Sequence, residues 1–249
     1  MLSIVDQDKH RSEISPLDSD HPKFHWIFRN IDYTQWSSAK HSGVLWLSGL
    51  PDRNITQVSS YIVDQENEAA SETDHFNLYF FCATGVRSRS IMTVFVHTLL
   101  NQIVNCSPIG KRISIIKNFL RSLLEEIFKK EAAPNWKDRG FNEKAPGKAN
   151  IKKILNAPEN ELLTALGAVL VDEGRRSLSV VIDGLGIVEH QRGDFIRGVR
   201  RFVDSTRQQI SKARILLTSP PLAEVESLFD GLPRIEYDVE RKGPSIYYP

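Results

Sequence analysis

The hydrophobic positions of the chain form two kinds of pattern. Residues 44–48 and 76–82 are nearly continuous apolar runs, which are typical of parallel strands covered on both faces. From 88 to 106, apolar pairs recur at 91/92, 95/96, 99/100 and 103/104. This repeat is close to 3.6 residues and predicts a long amphipathic helix, and a second such helix is predicted from about 110 to 130.

The same patterns continue to the end of the chain. We predict a first helix at 56–65 and an aromatic, helical lead-in at 24–36 that packs beside the first strand. Further helices are predicted at 159–173, 194–210 and 222–229, and further strands at 178–182, 214–218 and 234–239. Strands that alternate with helices predict a three-layer α/β/α sandwich around a mostly parallel sheet.

Composition indicates where the domain begins and ends. The chain has 249 residues and 41% hydrophobic content, which suits one large α/β domain at 23–240. Residues 1–22 are polar and aperiodic and are expected to form a flexible arm, while 241–249 form a tail. Residues 132–150 are rich in Pro, Gly, Lys and Asn, and we expect a mobile loop there.

Charge and side-chain spacing exclude several functions. The chain has 32 basic and 31 acidic residues and a net charge of +1, so nucleic acid is not an expected partner. Neither a membrane span nor a secretory signal is evident, and an intracellular, cytoplasmic protein is expected. The histidines lack metal-ligand spacing, and no Gly-x-Ser-x-Gly motif occurs. Cys82 and Cys106 are both expected to be buried free thiols.

Residues 44–56 have the layout of a phosphate-binding P-loop without its chemistry. The motif Gly-x4-Gly-Lys-[Ser/Thr] would begin at Gly49, but Asn54 replaces the second glycine and Ile55 replaces the lysine. Asp52 adds a negative charge to a loop that would otherwise bind anions, and Arg53 is displaced from the lysine position on a tight turn. The candidate loop residues are Gly49, Leu50, Pro51, Asp52, Arg53, Asn54, Ile55 and Thr56.

Asp183 is the second candidate site residue. It follows the apolar run 180–182, and the carboxyl end of a buried parallel strand is the usual ligand edge of such a sheet. One interpretation is a former Mg²⁺ site formed by Thr56 and Asp183. The other is that Asp183 only caps a turn with Gly184. The P-loop layout upstream favours the first interpretation.

Five segments together resemble a known family. They are 46–51, 80–81, 89–102, 181–185 and 217–221, and they occur in the order found in signalling P-loop ATPases. The chain resembles the NACHT-like (STAND) domain of the nephrocystin-type N-terminal family, which is common in fungal NOD-like receptors. The resemblance extends over about 24–239. It implies a P-loop NTPase fold.

The chain departs from this family at three places. Members typically read Gly-x-Pro-Gly-Ser-Gly-Lys-Ser/Thr, Asp-Ala/Gly-Leu-Asp-Glu and Thr-Ser-Arg-Pro at these positions. Here the loop has lost its glycines and lysine, Gly186 and Ile187 replace the Asp-Glu pair, and Pro220 replaces the sensor arginine after Thr218 and Ser219. These changes remove the phosphate clamp, the carboxylate that polarises water and a cation at the terminal phosphate. Hydrolysis is therefore expected to be lost.

The resemblance and the departures together imply a non-catalytic module in a signal-transduction protein. No cofactor is expected, and Mg-ATP is expected to bind weakly at most. Protein partners are expected, including homo- or hetero-oligomers with related NACHT domains. The alternative is a slow or binding-only ATP switch in which Arg53, Thr56, Asp183 and Glu189 hold Mg-ATP in an altered geometry.

Overall fold

The described residues include a parallel five-stranded sheet in a computed structural model. The structure describes residue 7 and residues 24–49, 55–70, 75–82, 90–130, 157–172, 177–187, 192–210 and 212–237. The prediction of an α/β fold is confirmed, and the architecture is that of a three-layer P-loop-like sandwich. The strands are β1 (Gly43–Gly49), β2 (His75–Phe81), β3 (Ser177–Asp183), β4 (Ala213–Ser219) and β5 (Arg234–Tyr237).

The helices agree with the sequence prediction to within a few residues, apart from the end of α3. They are α1 (His25–Arg29), α2 (Ile31–Ser38), α3 (Ile55–Ala70), α4 (Ile91–Cys106), α5 (Ile109–Lys130), α6 (Glu159–Asp172), α7 (Arg192–Gln209) and α8 (Ala223–Phe229). The aromatic lead-in forms two helices because Asn30 caps α2, accepting hydrogen bonds from the Asp32 and Tyr33 amides at 2.9 and 3.2 Å. The last turn of α3 lacks apolar periodicity, so the pattern ended this helix too early.

The strand order is β2-β3-β4-β1-β5, and every pair is parallel. β4 therefore lies between β1, which leads into the P-loop-like segment, and β3, which ends in Asp183. The connection from β1 runs toward β2, whereas the connection from β4 passes β1 to reach β5. This change of direction places a topological switch point at the carboxyl end of β1, where ligands bind in open α/β sheets.

Apolar side chains cover both faces of the sheet. On one face, Tyr79 and Phe81 of β2 and Leu45 of β1 join a cluster that includes residues of α1, α2 and α3. On the other face, Phe80 meets Phe95 of α4 edge-to-face at 5.2 Å, and α7 adds further aromatic rings. The strands are apolar at nearly every position because both faces are buried.

The chain divides into two compact units. The first comprises 1–99 and 175–249 and contains the sheet; the second comprises 100–174, in which α5 packs against α6. In the first unit, buried Gln7 hydrogen-bonds the main chain of Phe81 through both ends of its amide, at 2.7 and 3.4 Å. The predicted single domain, flexible arm and tail stay predictions. The predicted mobile loop at 132–150 lies outside the described residues.

One cysteine prediction is wrong. Cys82 is a buried free thiol as expected, but Cys106 is exposed. Cys106 is the last residue of α4 and lies beyond the final apolar pair at 103/104, so the face that is covered earlier in the helix no longer includes it. In the described part of the chain, no helix is long and apolar enough to cross a membrane.

Candidate functional site

The P-loop-like segment connects a central strand to a helix. Gly49 is the last residue of β1 and Ile55 is the first residue of α3. The residues between them, which the sequence assigns to the loop, lie outside the described part of the chain, and their roles stay predictions. They are Leu50, Pro51, Asp52, Arg53 and Asn54.

Ile55, which occupies the position of the phosphate-binding lysine, is part of the hydrophobic core. Its side chain is 5% exposed and belongs to the cluster that also contains Leu47 and Val58. It packs so closely on Gly49 that a Cβ there would collide with its terminal methyl group and approach the Tyr237 carbonyl oxygen to 2.9 Å. The side chain therefore contributes apolar packing at the end of β1 and no charge.

Asp183 is buried and receives two short hydrogen bonds. It is 1% exposed, and its Oδ1 accepts the hydroxyl protons of Ser59 and Thr218, each at 2.6 Å. Ser59 lies one turn after Ile55 in α3, and its hydroxyl is also 3.1 Å from the Ile55 carbonyl oxygen. Ser59 was not predicted from the sequence: its three-residue spacing from Thr56 places both on one helix face, but that spacing does not show that the Ser59 hydroxyl is buried.

Thr218 holds the turn that follows β3. Its hydroxyl oxygen accepts the Gly184 amide at 2.9 Å, and its carbonyl oxygen accepts the Leu185 amide at 3.0 Å. Gly184 has a φ of +78°, a left-handed conformation that glycine adopts without strain. The turn is therefore capped by Thr218, while the Asp183 side chain anchors the Thr218 hydroxyl.

Ser219, the second predicted residue of the sensor strand, points to the other face of the sheet. Its hydroxyl oxygen accepts the Trp46 indole N–H at 2.9 Å and its proton goes to the Pro220 carbonyl oxygen at 2.8 Å. The Arg234 guanidinium lies 4.2 Å from the centroid of the Trp46 ring. Successive residues of a strand alternate in direction, so only Thr218 of this pair reaches Asp183.

Gly186 and Pro220, which replace a carboxylate and the sensor arginine, contact each other. A Cβ on Gly186 would lie 2.7 Å from Pro220 Cδ and 2.8 Å from Leu222 Cδ1. Ile187, which replaces the other carboxylate, folds back on Gly184, where a Cβ would lie 2.8 Å from its terminal methyl group. Apolar atoms thus fill the space beside both replaced carboxylate positions.

Replacing Gly186 by alanine is expected to lower the free energy of unfolding by about 1 to 3 kcal/mol, because the Pro220 ring cannot move aside without the backbone. Gly110→Ala is the matched control, since a Cβ there meets no atom within 4 Å. That control is expected to stabilise α5 by up to about 1 kcal/mol. Urea unfolding of both variants measures the difference; equal stabilisation by the two substitutions would show that the contact with Pro220 is absent.

Burial raises the pKa values of two acidic side chains. Burial, assisted by the nearby Asp183 carboxylate, raises the pKa of the Cys82 thiol well above its ordinary value. Burial, assisted by Glu66 and opposed by Arg214, raises the pKa of the Tyr33 phenol. In each case the neutral form is favoured in the folded protein.

These shifts predict a loss of stability in alkaline solution. In the unfolded chain a thiol and a phenol lose their protons near pH 8.5 and 10, whereas Cys82 and Tyr33 keep theirs when folded. The folded state then binds more protons, so the free energy of unfolding falls as pH rises, by up to about 1.4 kcal/mol per pH unit for each group. Urea titrations from about pH 8 to 11 check this. Tyr33→Phe should reduce the dependence of the free energy of unfolding on pH above about pH 10. An unchanged dependence would contradict a raised pKa of Tyr33.

The described residues fit Mg²⁺ and a triphosphate poorly. Ile55 supplies no charge, and one of the two Asp183 carboxylate oxygens already accepts two hydroxyl protons. Thr56 is half-buried in the first turn of α3. Among the described residues no group of three Asp, Glu, His or Cys side chains is arranged to hold a metal ion, and Glu189 lies outside them.

Comparison with known proteins identifies the family. The family model described as Nephrocystin 3, N-terminal matches residues 23–219, which include β1, the Asp183 strand and all of β4. A comparison with curated proteins gives no match. Because the match extends over most of the chain, this protein belongs to the nephrocystin 3 N-terminal family.

Proposed function

We propose that this protein is a non-catalytic, NACHT-like P-loop domain that acts as a structural or regulatory interaction module in signal transduction. The observation that carries the proposal is the buried position of Ile55, where a P-loop requires a lysine directed at phosphate. A side chain packed with Leu47 and Val58 stabilises the fold and leaves the phosphate position without that cation.

The other two altered motifs support the same proposal. Pro220 fills the space beside Gly186, so the positions of the lost carboxylate and the lost arginine are packed against each other. Asp183, which a magnesium site would use, is bonded instead to Ser59 and Thr218. Polar groups that a nucleoside triphosphatase needs are thus either replaced by apolar side chains or engaged in hydrogen bonds that stabilise the fold.

Magnitudes indicate which activities these losses remove. A charge-assisted phosphate contact contributes roughly 1.5 to 3 kcal/mol, or about one to two decades of affinity. A transition-state arginine contributes about 10³ to 10⁵ in rate. Weak nucleotide binding would survive the first loss alone, but turnover would not survive both.

Protein contacts are then the proposed activity. Proteins of the family that this chain resembles act in signalling. We therefore propose homo- or hetero-oligomeric contacts with related NACHT domains. The competing proposal is an ATP-dependent switch that binds nucleotide in an altered geometry. The feature that favours a switch is the topological switch point of the sheet, with Asp183 at the carboxyl end of β3.

Thermal unfolding with millimolar ATP or ADP, with and without Mg²⁺, separates the two proposals. We expect the melting temperature to be unchanged by either nucleotide. A ligand at about 100 times its dissociation constant would stabilise the protein by about 2.7 kcal/mol, which is several degrees for a domain of this size. A shift of that size that requires Mg²⁺ would favour the switch.

A further inference from the structure

One face of α5 is exposed at its start and covered at its end. Residues 18 apart on an α-helix point in the same direction, because they are separated by five turns. Ile109 is 80% exposed, whereas Ile127, which lies about 27 Å further along the same face, is 9% exposed. The apolar face therefore continues beyond the part that the fold covers.

The uncovered part is a regular apolar stripe. Ile109, Ile113 and Ile116 are exposed and Leu120 is half-buried, and their spacings of four, three and four residues place them on one side of the helix. We call these four residues the exposed stripe. It is about 17 Å long. Clustered exposed apolar side chains of this kind mark interaction surfaces more often than scattered ones do.

The helix that packs against α5 shows what kind of segment α5 contacts within this fold. α5 packs against α6 within the same compact unit, and Leu123 and Leu124 are buried there. α6 is an apolar helix whose charged residues are all acidic: Glu159, Glu161 and Asp172. α5 thus already packs against a largely apolar helix that carries only acidic charges.

The charge around the exposed stripe favours a partner of the same type. Between 109 and 124 the sequence contains four basic residues and no acidic residue. Lys117 and Arg112 flank the stripe on either side by helical geometry, and Lys117 is exposed. Arg112 also donates hydrogen bonds to the carbonyl oxygens of Ser107 and Asn105, at 3.1 and 3.0 Å, which fixes its position.

We propose that the exposed stripe of α5 is a docking surface for an acidic amphipathic helix of a partner protein. Apolar anchors at i, i+4 and i+7 are the pattern by which one helix binds another, and the flanking cations select acidic partners. A second copy of this surface fits less well, because Arg112 and Lys117 of one copy would face the same cations of the other. A bilayer fits less well too, because the exposed stripe contains none of the aromatic side chains that favour the interface. The proposal does not depend on the nucleotide question.

A labelled peptide of residues Glu159–Asp172 is a suitable probe, because it carries the chemistry that α5 already accepts. We expect fluorescence anisotropy to show its saturable binding to the full chain. Ile113→Glu should weaken binding by roughly tenfold or more, since it puts a carboxylate at the centre of the stripe. Ile31→Glu, at another exposed isoleucine, is the matched control and should leave the affinity unchanged.

A second pair of variants tests the charge term. Lys117→Glu should weaken binding several-fold at low salt, while Lys111→Glu, on the opposite side of α5, should have little effect. A peptide in which the three acidic residues are replaced by lysine should not bind. The proposal is overturned if the acidic peptide fails to bind at about 1 mM or if the charge-reversed peptide binds equally well. It is also overturned if Ile113→Glu instead abolishes self-association in sedimentation or binding to phosphatidylserine vesicles.

Discussion

Replacing Asp183 by alanine is expected to lower the free energy of unfolding by about 2 to 4 kcal/mol. The substitution removes the acceptor of two buried hydroxyl protons, from Ser59 and Thr218, each at 2.6 Å. Ser59 can turn to the Ile55 carbonyl oxygen at 3.1 Å, but Thr218 would lose the bond that orients it toward the Gly184 amide. Chemical unfolding at neutral pH measures the change.

Asp183→Asn is the matched control, because an amide oxygen can accept the same two protons. We expect this variant to lose only about 1 kcal/mol. The comparison also separates two roles of a buried carboxylate. A buried carboxylate whose role is to bind a metal or a substrate often destabilises the ligand-free protein, so removing it would raise the free energy of unfolding. If both variants are as stable as the parent chain or more stable, Asp183 is not a structural residue.

Breaking the ion pair between Glu66 and Arg214 is expected to cost about 3 kcal/mol. Glu66 Oε2 accepts hydrogen bonds from Arg214 Nη2 at 2.8 Å and from the Ser179 hydroxyl at 3.0 Å. His75 Nε2 lies 3.8 Å from the same oxygen. The two charged side chains are only 10% and 14% exposed, so Glu66→Leu would leave the guanidinium charge poorly solvated. Urea unfolding is again the measurement.

The exposed pair of Asp194 and Arg197 provides the control for this experiment. Their side chains are 67% and 56% exposed, and Arg197→Ala should change stability by less than about 1 kcal/mol. The double variant with Glu66→Leu and Arg214→Met should recover much of the loss, since no charge is then left buried. An additive loss in the double variant would contradict the assigned pairing.

The sheet and most helices could be predicted because their signals are local. Continuous apolar runs give buried parallel strands, and a period near 3.6 gives helices that cover them. The sequence also placed Asp183 at the carboxyl edge of the sheet, where β3 ends in the structure. The signal failed where apolar side chains stop, as in the last turn of α3 and at Cys106.

The polar contacts could not be predicted because they join residues far apart in the sequence. Glu66 and Arg214 are 148 residues apart, and a glutamate near the end of an amphipathic helix is usually solvated. Ser59 and Asp183 are 124 residues apart, and a serine within a helix has no pattern that distinguishes a buried donor from an exposed one. The packing of α3 on β3 and β4 brings these residues together, and only the fold reveals it.

Isothermal titration with Mg-ATP tests the central claim most directly. The parent chain should give no binding heat, whereas the triple variant Asp52→Gly, Asn54→Gly and Ile55→Lys should bind nucleotide, because it restores the phosphate-binding motif between β1 and α3. Ile55→Met, which keeps an apolar side chain, is the control, and circular dichroism checks that each variant is folded. Tight binding of ATP by the parent chain, or a folded triple variant that still binds none, would contradict a P-loop fold that has lost its nucleotide site.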